Sequence, residues 1–337
     1  MFKRIFVEKE MRDHPRVLQF LSSFPNIPTQ EIEEIDKIFN RVKKPYLQKR
    51  DNLQAFLGRK RGSLVKPAPD AYGLSGSPHY YFIHSYNCLY ECQYCYLQGY
   101  FDSPDLVFFL NHEEIGEKIK EVCDSHPDQE EVWFHAGEFS DSLALSHLTG
   151  ELPYYFSLFQ TLPKARLELR TKSANIKELK ALSPQKNITV SFSLSTAAQV
   201  KAFDLKTPPL KTRLKAMREL QNLGHPIGIH IDPVIYEDDF EKKFAELFQE
   251  MKTQLDLSAV HYVSLGVVRF TKDVYHQVQK NYPDSPLHGA DWVKSFDQKV
   301  RYSRPLRNWM LGKIKALGLA AGFNEKQIYL CMEEMEN

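Results

Sequence analysis

From residue 79 onward the chain repeats one pattern six times: a short apolar or β-branched run, in most cases followed by a longer amphipathic segment. The runs cover residues 80–85, 131–136, 166–170, 188–194, 226–233 and 261–268, and helical spacing marks 112–123, 210–223 and 240–255 between them. Such alternation implies parallel strands joined by right-handed crossovers. An open doubly wound sheet and a partial barrel both satisfy it. In either, chemistry sits at the C-terminal strand ends. The 337 residues suffice for one large α/β barrel or two ordinary domains.

The flanks read differently. In 1–78, Ile32, Ile35, Phe39 and Val42 are spaced for one face of a helix, with Thr29 as its N-cap. A basic stretch follows: Lys43, Lys44, Lys49, Arg50 and Arg59-Lys60-Arg61. Lys66-Pro67-Ala68-Pro69-Asp70 with Gly73, Gly76 and Pro78 then forms a loop. The expected organisation is a helical, basic extension over 1–78, a core over 79–270, and a basic–aromatic, then helical extension over 271–337. Arg59-Lys60-Arg61 and residues 301–309 are candidate phosphate contacts, although a charge run is more often a solvated face.

Composition excludes some classes. At 42% hydrophobic and 26% charged residues the chain can bury a core, which rules out global disorder. No segment approaches the roughly 18 consecutive apolar residues of a membrane span. The opening Met1-Phe2-Lys3-Arg4-Ile5-Phe6-Val7-Glu8-Lys9 turns charged before a signal-peptide core forms. A cytoplasmic protein without membrane contact is expected. A net charge of +1 neither demands nor excludes a nucleic-acid partner.

Three of the five cysteines lie in Cys88-Leu89-Tyr90-Glu91-Cys92-Gln93-Tyr94-Cys95, just after the first run. Clustering in a long chain points to metal or redox chemistry and away from disulfides. Soft thiolates select iron–sulfur clusters or zinc. A closed zinc site normally needs four ligands; His84 could supply one, but its spacing is not that of common zinc modules. Three cysteines on a four-iron cluster leave one iron open to a cofactor. Cys123 ends an amphipathic segment and reads as a small core residue. Cys331 has no evident role.

This loop resembles the cluster loop of the radical S-adenosylmethionine (radical SAM) superfamily. The resemblance implies a partial (β/α)6 barrel of the TIM type. It also implies a 4Fe-4S cluster on Cys88, Cys92 and Cys95, with S-adenosylmethionine chelating the open iron and cleaved reductively to a 5′-deoxyadenosyl radical. An electron donor of the flavodoxin or ferredoxin kind and a monomeric chain are expected with it. Ala136-Gly137-Glu138 is a variant of the superfamily's Gly-Gly-Glu motif, which contacts the cofactor's amino group; a tight strand-end turn would explain it equally. At the next strand ends, Lys172 is a candidate partner for the cofactor carboxylate and Ser193 for its ribose or sulfonium end. Solvent-facing alternation is the plainer reading of Ser191, Ser193 and Ser195. His230 and Asp232 read as pocket lining.

Further stretches are similar to the spore photoproduct lyase family, radical SAM enzymes that repair a thymine dimer in DNA. They are Gln93-Tyr94-Cys95-Tyr96-Leu97-Gln98, Phe139-Ser140-Asp141 with His147-Leu148-Thr149, Arg269-Phe270-Thr271-Lys272, Asn281-Tyr282-Pro283 and Lys299-Val300-Arg301-Tyr302. The likeness implies that Tyr94 and Tyr96 belong to a radical relay, against aromatic packing around the cluster as the alternative. It implies cofactor contacts from Ser140, Lys172 and Ser193. The family's hydrogen-donor cysteine falls, by register from Phe139-Ser140-Asp141, on Glu138. A carboxylic acid is a poor hydrogen-atom donor, so a relative of the lyase with an uncertain, possibly nucleic-acid substrate is expected. The competing expectation is a zinc-containing nucleic-acid-binding protein without catalysis.

Overall fold

The structure, a computed structural model, describes residues 2–41, 50–69, 76–295 and 297–333. Six parallel strands form its centre: β5 (His79–Phe82), β9 (Val132–Ala136), β10 (Ala165–Thr171), β11 (Ile188–Ser193), β13 (Ile227–Val234) and β14 (Tyr262–Val267). They lie side by side in chain order. A doubly wound sheet reverses its strand order at a switch point; this one does not. The sheet is also curled. Tyr262 of β14 donates to Glu168 of β10 at 2.6 Å although β11 and β13 lie between, and flat neighbours would stand about 4.8 Å apart per strand. The architecture is therefore a partial barrel.

The runs read from sequence coincide with these strands, and the helices appear as His112–Asp124, Leu210–Asn222 and Phe240–Gln254. Each buries one stripe against the sheet: Ile115 and Ile119, Leu214 and Met217, Phe244 and Met251. Cys123 joins that core. Both faces of the strands are covered, one by helices and one by the barrel interior. Hence the near-continuous burial of β9, β11 and β14. The sheet's edges are closed by β4 (Val65–Pro67), antiparallel to β5, and β18 (Ile328–Leu330), parallel to β14.

The helix expected around Ile32, Ile35 and Phe39 is replaced by strand and turn. Thr29 and Ile32 bound β2 (Thr29–Ile32), which pairs with β1 (Arg4–Glu8), and Ile35 opens a short 3-10 turn, Ile35–Lys37. Their spacing also suits a strand that bends once, because Ile32, Ile35 and Phe39 all reach one core with Phe6 and Phe56. The Glu8 carboxylate accepts the Ile35 N–H at 2.7 Å and fixes that bend. Val42, Lys43, Lys44, Lys49, Asp70 and Gly73 lie outside the described residues. Among the described residues the extension carries the helix Pro15–Ser22, opened by proline and capped by His14.

Sheet membership crosses residues 78 and 270. β1 and β2 continue through β3 (Gln54–Gly58) to β8 (Leu106–Phe109) and β6 (Ser85–Tyr86), which flank the cysteine loop. Beyond 270, β17 (Val300–Tyr302) pairs antiparallel with β15 (Arg269–Phe270) on one side and with β16 (Trp292–Lys294) on the other, and the helix Arg304–Ala321 precedes β18. The basic residues expected to meet phosphates are largely engaged within the fold. Arg59 pairs with Glu114 and Arg61 with Glu8, both at 2.7 Å, and Arg301 and Arg307 are buried on Glu333, both at 3.0 Å.

Candidate active site

The cysteine loop follows β6. Within it β7 (Glu91–Cys92) pairs antiparallel with β12 (Asp204–Leu205). Asn87, at a positive φ of 63°, donates to the carbonyls of Ser103 and Asp105, each at 2.7 Å. Gln98 donates to the carbonyls of Gln93 and Cys95 at 2.8 and 3.0 Å and accepts from Asn281 at 2.8 Å. Ser285 donates to the Gln93 side chain. The Asn281-Tyr282-Pro283 stretch thus belongs to the support of the cysteine loop, although it lies far along the chain.

All three loop cysteines are free thiols, with Cys92 buried and Cys88 and Cys95 half-buried. Burial pushes Cys88 up to about 12, Cys92 well above its ordinary value and Cys95 upward. Such thiols ionise when a metal takes the charge. The Tyr90 N–H donates to Cys88 Sγ at 3.4 Å, and Lys172 favours the ionised forms of Cys92 and Cys95. This donor set fits a thiolate-bound cluster. His84 is instead held by Glu151 at 2.7 Å. Among the described residues, no three His, Cys, Asp or Glu side chains gather around one point.

At the end of β9, Gly137 has φ 85°, and a Cβ there would stand 2.6 Å from Ser142 Oγ and 3.2 Å from the Arg170 carbonyl. Only glycine fits this turn. The Ser140 N–H closes it on the Gly137 carbonyl at 3.2 Å. Asp141, named above only within the Phe139-Ser140-Asp141 likeness, ties the turn to β10. Its carboxylate accepts from the N–H groups of Leu143, Ala144 and Lys172 and from the Thr171 hydroxyl, at 2.7–3.0 Å.

Tyr94 and Tyr96 meet different partners. The Tyr94 phenol donates to Asp204, and burial followed by that carboxylate hold it well above its ordinary value. Asp204 is paired at 2.9 Å with Arg213, which is fully buried and also donates to the Ser193 carbonyl at 2.9 Å. Lys172 Nζ lies 5.4 Å from the centre of the Tyr94 ring. Burial alone would lower Lys172, but the Cys92 sulfur and Asp204 outweigh it and hold the ammonium above its ordinary value. The exposed Tyr96 donates to the Glu138 carbonyl. A polar chain thus runs from the Tyr94 phenol through Asp204 and Arg213 to the Ser193 backbone carbonyl, the Lys172 ammonium lies beside the Tyr94 ring, and Tyr96 is bonded to Glu138.

Below this level the barrel interior is polar. Glu168 accepts from Ser191, Tyr262 and His230, each at 2.6 Å, and from Arg170 at 3.0 Å, and it also bonds His135. Burial pushes Glu168 up, but Arg170, His230 and His135 overturn that and hold it ionised. Ser191 and His230 therefore face inward, and the plain solvent-facing reading of Ser191 is corrected. The missed signal was Leu167-Glu168-Leu169-Arg170, where charges alternate with core residues inside a buried strand. Asp232 lies against Gly266 and 3.7 Å from Arg269, beside the buried Cys331 that follows β18.

The spore photoproduct lyase family profile matches residues 73–304, more than two thirds of the chain. The chain belongs to the spore photoproduct lyase family. The spore photoproduct lyase of Clostridium acetobutylicum is 24% identical over 300 residues, covering 88% of this chain and 87% of its own. That of Bacillus subtilis is 24% identical over 291 residues, covering 84% and 83%. A solved spore photoproduct lyase variant with dinucleoside spore photoproduct superposes with a TM-score of 0.84 at 20% identity, over 98% of both chains. Another, with bound AdoMet and the same dinucleoside, gives 0.82 at 20% identity over the same share. These lyases are enzymes of the radical SAM kind, and their fold is the partial barrel described above. No helix among the described residues is long and apolar enough to cross a membrane.

Proposed function

We propose that this chain is a radical SAM enzyme acting on a nucleic-acid substrate. The observation that carries the reading is the pinned loop of three free thiols with Tyr96 bonded to Glu138 across the adjacent strand-end turn. Cys88, Cys92 and Cys95 hold a 4Fe-4S cluster, and S-adenosylmethionine lies against Gly137, Glu138, Ser140, Lys172 and Ser193. When bound, cluster and cofactor supply reductive cleavage of the sulfonium to a 5′-deoxyadenosyl radical. The chain's own residues bind and orient. Lys172 offers its ammonium to the cofactor carboxylate, the side-chain-free turn at Gly137 admits the ligand, and Tyr94 and Tyr96 form a relay toward the substrate. A flavodoxin- or ferredoxin-type partner supplies the electron.

The bound AdoMet and dinucleoside spore photoproduct of the solved lyases support this cofactor and substrate class. Glu138 stands where the family's hydrogen donor is expected, so the native chain repairs a spore-type thymine dimer poorly. The test is anaerobic reconstitution followed by reductive S-adenosylmethionine cleavage, with and without damaged DNA. Cleavage that disappears in Cys88→Ala, Cys92→Ala and Cys95→Ala and persists in Cys123→Ala is expected. Zinc without iron after anaerobic purification, or a reduced cluster that never cleaves the cofactor, would refute the reading.

A further inference from the structure

Arg50 lies outside the segment matched by the family profile, yet its side chain is buried against the cysteine loop. Its Nη1 donates to the Cys88 carbonyl at 2.9 Å, its Nη2 to the carbonyls of Leu89 and Tyr90 at 2.7 and 3.0 Å, and its Nε to Glu91 Oε1 at 3.1 Å. Four successive residues turn an oxygen toward one guanidinium. Only the planar fork of arginine offers enough fixed donors for this; an ammonium has three on a flexible stem. Lys206 reaches the same Glu91 oxygen at 2.7 Å but is not bonded to these carbonyls.

Within a planar trans peptide, the C=O of one residue and the N–H of the next point in opposite directions. Drawing the Leu89 carbonyl to Arg50 therefore turns the Tyr90 N–H the other way, and that N–H meets Cys88 Sγ at 3.4 Å. The guanidinium also sets a positive charge beside the loop, 2.9 Å from the Cys88 carbonyl. Hydrogen bonds to cluster sulfurs and the net charge around them set the reduction potential of an iron–sulfur centre. Both effects favour the reduced, more negative state.

We propose that Arg50 is a positioning residue for the cluster: by gathering the loop carbonyls it turns the Tyr90 amide onto the Cys88 sulfur, raises the cluster's reduction potential and slows cluster loss. The inference rests on the cluster assignment to Cys88, Cys92 and Cys95. Arg50 touches no reacting atom and acts through the loop. It also ties the extension that carries Arg50 to the chemistry at the barrel mouth.

The test compares the full chain with Arg50→Met, Arg50→Lys and Lys206→Met after anaerobic reconstitution. The readouts are iron content, the electron paramagnetic resonance spectrum of the reduced cluster, and its midpoint potential. In Arg50→Met the reduced-to-oxidised ratio at a fixed applied potential falls about tenfold, equal to about 59 mV for a one-electron couple, and the spectrum changes. Arg50→Lys keeps the charge and loses part of the carbonyl set, so it falls between. Lys206→Met stays near the native values. A native potential and spectrum in an iron-replete Arg50→Met overturns the proposal, as does an equal shift in Lys206→Met. If circular dichroism shows Arg50→Met unfolded, a folded Arg50→Lys with native potential and spectrum overturns it instead. A native chain that assembles no iron–sulfide overturns the cluster assignment and this inference together, a result distinct from the other failures.

Discussion

The hydroxyl of Tyr96 donates to the backbone carbonyl of Glu138 and stands 3.5 Å from that residue's own carboxylate. The backbone bond is independent of the side chain at 138, so a thiol placed there remains beside the phenol. Glu138→Cys is expected to repair a spore-type thymine dimer at least tenfold faster than the native chain. Chromatography of a dimer-containing oligonucleotide, incubated anaerobically with S-adenosylmethionine and reductant, checks it. Efficient repair by the native chain would sink the importance given to position 138.

Gly137→Ala asks an alanine to adopt φ 85° with its methyl 2.6 Å from Ser142 Oγ. The left-handed backbone alone costs about 1–2 kcal/mol, and the contact adds to it. Urea unfolding should show at least that loss. Cofactor affinity should fall as well, because Ser140 hangs on the same turn. Ser142→Ala in the same chain relieves the contact and returns part of the stability.

Arg213→Met leaves Asp204 buried without its guanidinium. Removing one partner of a buried pair costs about 3–5 kcal/mol, and the Ser193 carbonyl loses a donor too. The double variant Arg213→Met with Asp204→Asn should recover a measurable part of this, because it removes the unpaired charge. Equal instability of the single and double variants would place the effect in packing.

His112 opens the helix His112–Asp124 fully buried, and neither ring nitrogen has a hydrogen-bond partner among the described residues. Burial, then Arg16, lower its pKa from 6.5 to about 3. The unfolded chain therefore takes up a proton below pH 6.5 that the folded chain refuses until about pH 3. The stability contributed by neutral His112 is complete above pH 6.5 and declines as pH falls through that window, by about 1.4 kcal/mol per pH unit at the steepest. Between pH 7 and pH 4 the denaturation midpoint of the native chain should fall relative to that of His112→Phe. Parallel curves would exclude this proton.

The six strands and three helices were legible because each carries its own period. The cysteine loop was legible because thiols at that spacing have few uses. Gly137 and Lys172 are singled out by their places at strand ends, and Ser140 by the family likeness alone. Asp204, Arg213 and Arg50 are not, because each acts on a partner in another element and has no local pattern. Asp204 gains meaning only when β12 is laid against β7. The strand at 29–32 was misread because a few apolar positions fit a helix face and a bent strand equally, and the pairing with β1 decides between them.

Asn281 and Gln98 are hydrogen-bonded across 183 residues of chain. During translation the cysteines leave the ribosome long before the group that secures their loop. The loop cannot take its final shape on the early nascent chain, since contacts of long sequence separation close late. Iron delivered to Cys88, Cys92 and Cys95 at that stage would meet an unsupported segment. The fold thus orders events: the helix Lys272–Asn281 that carries Asn281 is made before the cysteine loop closes.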